Sequence, residues 1–92
     1  GMQVEGDVNK VIGLEPLKDK FISFGWNTIN CNGNDIAELV SSFQNAKQTT
    51  NKPTVIIAKT LVGKGVSFLE GQLSHNLFFP KDVANKALKA LI

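Results

Sequence analysis

The chain has 92 residues, 42% of them hydrophobic and 20% charged, a balance that suits one small globular domain and excludes a disordered chain. Ten Lys and Arg against eight Asp and Glu leave a formal charge of +2 scattered along the sequence, which excludes the strong basic footprint of a nucleic-acid or anionic-membrane binder. The single cysteine, Cys31, excludes both an intramolecular disulfide and a cysteine-built zinc site.

The first residues, GMQVEGDVNKVIG, open with the alternation Met2-Gln3-Val4-Glu5, which suggests a short strand or extended segment, and Gly6-Asp7 reads as the turn after it. Gly1 ahead of Met2 has two readings: a residue left by tag removal, or a native residue of a chain cut from a longer one. There is no basic region followed by an apolar core, so no secretory signal is expected and the expected setting is cytoplasmic. Leu14-Glu15-Pro16 signals a helix with proline at its first position, where a missing N–H costs nothing. Leu14, Leu17, Phe21 and Phe24 recur at helical spacing as one apolar stripe, and Gly25 is the natural stop.

The segment Trp26–Cys31 alternates apolar and polar residues and predicts a strand. After the Asn32-Gly33-Asn34 turn, Asp35 and Glu38 have the spacing of a capping box. They start a helix over 35–47 with Ile36, Leu39, Val40, Phe43 and Ala46 on its apolar side. The stretch Thr54–Thr60 predicts a second strand, and its continuous apolar centre suggests cover on both faces, as in a parallel sheet. Pro80 begins a last helix with Val83, Ala84, Ala87, Leu88 and Leu91 on one side. Strand 26–31, helix 35–47 and strand 54–60 form one βαβ unit, so the expected class is α/β, a short parallel sheet with flanking helices. So thin a sheet cannot cover both faces of 55–58. The chain is therefore expected to self-associate or to belong to something larger. The longest apolar run, Val55–Ala58, is far short of a membrane span, so no membrane partner is expected.

Chemistry-bearing residues are few. Gly63-Lys64-Gly65 follows a strand but has the spacing of neither a P-loop nor a dinucleotide fingerprint, so on residues alone it reads as a flexible turn. The one histidine, His75, has the capacity of an acid, base or ligand, and equally the features of an ordinary surface or capping residue. Cys31 reads as an inert, strand-end thiol rather than a nucleophile. Lys59 and Lys64 could meet an anion or simply be solvated. Trp26 reads as packing rather than a stacking platform.

Read in order, these pieces resemble a known family. The stretch GLEPLKDKFISFGWNTINCNGNDIAEL resembles the transketolase pattern, in which a Leu-Glu-Pro-Leu helix precedes Phe-Gly-Trp, a strand and a D-G-H-D turn. The stretch KPTVIIAKTLVGKGVSFLEG resembles the following strand, its Gly-Lys-Gly-Val-Ser-Phe loop and a Glu, and MQVEG is similar to the family's L-Q-I-D-G segment. The resemblance spans residues 2–70, with a looser match over 71–92.

It implies part of a thiamine-diphosphate-binding fold, from an enzyme that uses thiamine diphosphate and Mg2+ to transfer two-carbon ketol units between sugar phosphates. Carried over residue by residue, it implies that Met2 offers a main-chain carbonyl to the metal and that Val4 and Val62, with Gly63 in the turn, lie at the cofactor. It also makes His75 the candidate for a histidine close to the diphosphate and substrate oxygens.

The departures are as informative. No Gly-Asp-Gly motif occurs in residues 1–92, Gly6-Asp7-Val8 being the nearest look-alike. The resemblance places the metal-binding Asn just ahead of Gly1. Asn34 stands for the turn histidine, Asn32 for its first acid, and Asn76 follows His75 where the family has glycine. The expectation is a single partial domain over 1–92 that lacks the Gly-Asp-Gly half. Alone it is expected to be inactive, to bind no cofactor, and to use His75 for no catalysis. It is further expected to work as a homo-oligomer, or with a missing domain or subunit of a transketolase. Two other readings stand beside this one: a degenerate stand-alone interaction module on the same scaffold, and a fragment of a deoxyxylulose-phosphate synthase-like enzyme. The run Gly-Lys-Gly-Val-Ser-Phe-Leu-Glu favours transketolase over the latter.

Overall fold

The computed structural model describes residues 1–92, which divide into two compact units, Gly1–Val11 with Leu61–Ile92, and Ile12–Thr60. The fold is α/β, with a short parallel sheet and flanking helices.

The unit Ile12–Thr60 is a βαβ arrangement preceded by a helix. Its elements are α2 (Leu17–Ser23), β3 (Asn27–Asn32), α3 (Ile36–Gln48) and β4 (Thr54–Lys59). β3 and β4 pair in parallel, from Asn27 opposite Thr54 to Asn32 opposite Lys59. The Asn27 side chain adds a polar tie at the start of this ladder, donating to Thr49 Oγ1 at 3.1 Å and Thr54 Oγ1 at 3.2 Å. Gly25, at φ +83°, ends α2 as expected, and its N–H donates to the Ile22 carbonyl. Trp26 then turns back onto Phe21, with ring centroids 5.5 Å apart and planes tilted by 58°, a packing role. Pro16 is the extended residue that caps α2 rather than its first helical residue. The Glu15 carboxylate accepts from the Leu17 N–H there, a bond that proline could not have donated.

Two further expectations change in this unit. The Asp35 half of the capping box forms, Oδ1 accepting from the Glu38 N–H at 3.1 Å. The Glu38 carboxylate reaches instead to the Asn32 N–H at 2.6 Å, because the chain leaving β3 turns that amide toward the start of α3. The apolar side of α3 splits in two. Leu39, Ser42 and Ala46 face inward, with Ser42 buried, while Ile36 and Phe43 are 79% and 58% exposed, with Val40 between them. A helix laid on only two strands turns a narrow face to them, and small residues at that face allow close approach. As expected for so thin a sheet, β4 is not covered on both sides: Thr54–Ile57 are half-buried, and Ala58 and Lys59 exposed.

The other unit starts with a hairpin, β1 (Met2–Gln3) antiparallel to β2 (Gly6–Asp7), followed by the single helical turn α1 (Val8–Val11). Gly6-Asp7 is thus the returning strand, and the reversal falls at Val4-Glu5. The Gln3 side chain stabilises it by accepting from the Glu5 N–H at 3.3 Å. The Asp7 carboxylate then accepts from the Asn9 N–H at 2.8 Å and starts α1. A long loop leads to α4 (Lys81–Ala90), with Pro80 as its cap. Val83, Ala84 and Ala87 are half-buried, while Leu88 and Leu91 are exposed. Lys86 places its ammonium 4.7 Å from the centre of the Phe68 ring. Val66 in the loop, 6% exposed, is the buried apolar residue of this unit. No helix is long and apolar enough to cross a membrane.

Candidate functional site

The candidate site lies within the unit that holds both chain ends. The chain there makes a closed loop between Val62 and Gly71, whose N–H donates to the Val62 carbonyl at 2.9 Å. Gly63 has φ +70°, and a Cβ on it would sit 2.6 Å from the Leu69 carbonyl oxygen, so only glycine lets the two limbs of the loop come this close. Val66 donates to the Gly63 carbonyl and accepts from the N–H groups of Leu69 and Glu70, which winds the loop around its own buried side chain.

Glu70 completes the loop. Its Oε1 accepts from the Gly65 N–H at 3.1 Å and lies 3.5 Å from the Lys64 ammonium. The Gly65 N–H foremost holds the Glu70 carboxyl below the usual glutamate range; burial opposes it, and the Lys64 ammonium, through its charge and its hydrogen bond, adds to the lowering. The Gly-Lys-Gly turn therefore carries an anion of its own. Lys64 is engaged inside the chain rather than held ready for a ligand.

The two ends of this loop meet the hairpin at one pocket of about 290 Å3, lined by Met2, Gln3, Val4, Val62, Leu73, Ser74 and His75. Four of the five residues singled out by resemblance, Met2, Val4, Val62 and His75, stand on this single wall, drawn from opposite ends of the sequence. The fifth, Gly63, does not line it and instead shapes the turn behind Val62. Met2 and Val62 are half-buried, whereas Val4 and His75 are exposed at the rim. Sequence reasoning passed over Gln3 and Leu73 as lining residues, and Glu70 as the clasp of the loop. The signal for Glu70 was present in the opposite charges of Lys64 and Glu70 on the two sides of a glycine turn.

The lining fits one part of a thiamine diphosphate–metal group and not another. Met2, Val4, Val62 and Leu73 give an apolar face suited to an organic ring, while Gln3, Ser74 and His75 add hydrogen-bonding groups at its edge. No carboxylate lines the pocket, and no cluster of three or more His, Cys, Asp or Glu able to hold a metal occurs in the chain. A divalent cation with a diphosphate needs such oxygen ligands. The side chains of the wall thus suit an organic ring and include no carboxylate for a metal.

The remaining candidates have structural places. Cys31 is a half-buried free thiol in β3, opposite Ala58. The Lys59 carbonyl accepts from the Gly33 N–H at 2.7 Å, and its side chain is exposed. Asp35 serves as the cap of α3, and the Asn32 side chain accepts from the Asn34 N–H in the same turn.

Comparison with known proteins bears on the whole chain. A 6-deoxy-6-sulfo-D-fructose transketolase subunit, SqwG, of Clostridium sp. (strain MSTE9) is 38% identical over 91 residues, which cover 98% of this chain and 33% of that protein. An apulose-4-phosphate transketolase subunit of Phocaeicola vulgatus is 34% identical over 70 residues, 76% of this chain and 25% of the relative. The crystal structure of transketolase from Campylobacter jejuni superposes with a TM-score of 0.81 at 36% identity, over 97% of this chain and 14% of the other. The chain thus spans a third or less of the length of each of these proteins. The family model of the transketolase thiamine diphosphate binding domain matches residues 1–84, and the chain belongs to that family.

Proposed function

We propose that this chain forms one wall of the thiamine diphosphate site in a transketolase-type enzyme that moves two-carbon ketol units between sugar phosphates. In this reading Met2 would offer its main-chain carbonyl to Mg2+, and Val4 and Val62 would hold the cofactor by apolar contact, with Gly63 setting the turn behind Val62. His75 stands at the diphosphate and substrate end. The cofactor supplies the reactive carbon. The residues of this chain contribute shape and dryness along the ring, and imidazole hydrogen bonds at the rim.

The carrying observation is the pocket itself, which gathers Met2, Val4, Val62 and His75 from two distant stretches of chain. The lack of a carboxylate in its lining supports the second half of the proposal. The metal carboxylate and most diphosphate contacts come from a Gly-Asp-Gly-bearing portion outside residues 1–92, so this stretch alone holds no tightly bound cofactor and has no activity. The complement is a further domain, a separate subunit or a second copy. The names of the relatives, as transketolase subunits, and the exposed stripe Ile36, Val40 and Phe43 support such an assembly. We place this assembly in the cytoplasm, where the Cys31 thiol stays reduced.

Titration with thiamine diphosphate and Mg2+, followed by calorimetry and by 15N-resolved NMR, tests the reading. The expected result is no heat of micromolar binding, and weak shifts at millimolar cofactor confined to Val4, Val62 and Leu73–His75. Micromolar binding overturns the dependence on a complement. Shifts that avoid those residues overturn the wall. Ketol transfer is expected in neither the unmodified chain nor His75→Ala, and turnover that falls sharply in the variant contradicts the proposal.

A further inference from the structure

The pocket wall is built on the two ends of one loop, and what holds those ends is an acidic side chain that does not touch the pocket. Val62 enters the loop and lines the wall, and Leu73, Ser74 and His75 follow its exit and line the wall as well. The main-chain tie joining entry to exit is the Gly71 N–H on the Val62 carbonyl. A single hydrogen bond at an exposed loop mouth is weak by itself. One residue before that tie, Glu70 crosses the loop to the Gly65 N–H and to the Lys64 ammonium.

We infer that Glu70 is a positioning residue for the proposed cofactor wall: it latches the Val62–Gly71 loop so that Val62 and His75 face the same pocket. The importance of the wall rests on the reading under Proposed function, while the latch itself does not.

Three features make Glu70 more than a surface ion pair. The bond to Gly65 is charge-assisted, and so is stronger than a neutral loop bond. It is made to the backbone, so it fixes the path of the chain, whereas an exposed Lys–Glu contact fixes only two side-chain ends. Its position is also dictated by glycines. Gly65, at φ +97°, turns its N–H inward, and a Cβ there would lie 3.1 Å from Leu91 Cδ2 at the end of α4. Gly63 admits Leu69 at the distance that brings the following residue, Glu70, over the turn. The same arrangement explains why a Gly-Lys-Gly turn after a strand is not an anion seat here, since its inward amide and its lysine already share a carboxylate.

The acceptor oxygen carries most of the latch and the charge strengthens it, and this separates a positioning role from general stabilisation. Glu70→Ala removes the acceptor, Glu70→Gln keeps an oxygen for Gly65 without the charge, and Lys64→Met removes the ion pair alone. The measurement is amide hydrogen exchange by NMR at Gly71 and at Val55–Ala58, together with the Val62 methyl and His75 ring resonances. Glu70→Ala is expected to lose at least about tenfold of the protection at Gly71, the size of one hydrogen bond to a charged group. It is also expected to move the Val62 and His75 resonances, with β4 protection unchanged. Glu70→Gln is expected to stay within about threefold of the parent at Gly71, and Lys64→Met within about twofold. The inference is overturned by an unprotected Gly71 in the parent chain, by equal losses at Gly71 and in β4, or by Gln failing to rescue. None of these readouts uses cofactor, so a failed latch and a failed cofactor wall give different results.

Discussion

The two compact units of this chain achieve order by different means. In Ile12–Thr60 the structure is a ladder and a cap: six parallel residue pairs between β3 and β4, and Asp35 holding the start of α3. In Gly1–Val11 with Leu61–Ile92 there is a two-pair hairpin, a loop wound on Val66 and a clasp from Glu70 to Gly65. Repeated backbone bonds share a perturbation among many partners. A loop held by single contacts concentrates it at one residue. The site sits in the second kind of region, where exposed groups such as Val4 and His75 are placed by a few specific bonds.

Two glycine substitutions give the largest test of that contrast. Gly63→Ala forces an L side chain into φ +70° and drives its Cβ to 2.6 Å from a main-chain oxygen, with the Leu69 carbonyl carbon also within 2.8 Å. The left-handed penalty and the displaced backbone together cost about 2–4 kcal/mol. Gly33→Ala meets the Thr60 Cγ2 at 2.7 Å and the Ala58 Cβ at 3.0 Å, with no left-handed torsion. Thr60 can rotate away, but the Ala58 Cβ and the Ala58 carbonyl carbon at 3.2 Å must give by a small shift of β4, so this change costs about 1–2 kcal/mol. Urea unfolding read in two channels separates them, since Trp26, the only tryptophan, reports on Ile12–Thr60 and the Gly71 amide on the other unit. Gly63→Ala should shift the Gly71 channel and leave the Trp26 midpoint in place, with the reverse for Gly33→Ala. Coincident shifts in both channels would show that the two regions unfold as one, and the contrast would fail.

The same division decides what could be read in the sequence. β3, α3 and β4 lie within about one residue of their expected limits, because each is announced locally: alternation for Trp26–Cys31, an acidic cap at Asp35, an apolar run after Pro53. Periodicity did not reveal that α3 has two apolar faces. Spacing shows which residues share a side, whereas the width of the neighbouring sheet decides how much of that side is covered. Gly6-Asp7 carries turn composition, yet the reversal one step earlier at Val4-Glu5 makes it a strand. The pocket was invisible to local pattern, since hairpin and loop come from opposite ends of the chain. Met2, Val4, Val62 and His75 entered through resemblance to transketolases, and Glu70 only as the acid that closes the resembling stretch, without a role, because an acid six residues beyond a lysine has no periodic signature.

A middle-sized effect sharpens the ladder-and-cap side. Asp35→Ala removes the acceptor for the Glu38 N–H and is expected to cost about 1 kcal/mol, with Asp35→Asn close to the parent. Helical circular dichroism during thermal unfolding checks it. An Ala variant as stable as the parent would mean that Glu38, through its bond to Asn32, fixes the start of α3 unaided.

Acid gives the smallest and most selective change. The Glu70 carboxyl titrates below the usual glutamate range in the folded chain because the Gly65 N–H and the Lys64 ammonium favour its charged form. A depressed folded-state value means that the unfolded chain takes up the proton first. The contribution is therefore fully present above the ordinary glutamate value, and it fades as pH falls from there through the depressed folded value. Its loss is partial, because a protonated carboxyl still presents an oxygen to the Gly65 N–H while the attraction to Lys64 disappears. An NMR series from neutrality to about pH 3 should show the Gly65 and Gly71 amides loosening in that window, with the β3–β4 amides steady. Glu70→Gln has no proton to gain at that position, so its loop amides should lack this transition. A transition of the same size in Glu70→Gln would move the acid response to another group and leave the loop held by its hydrogen bonds alone.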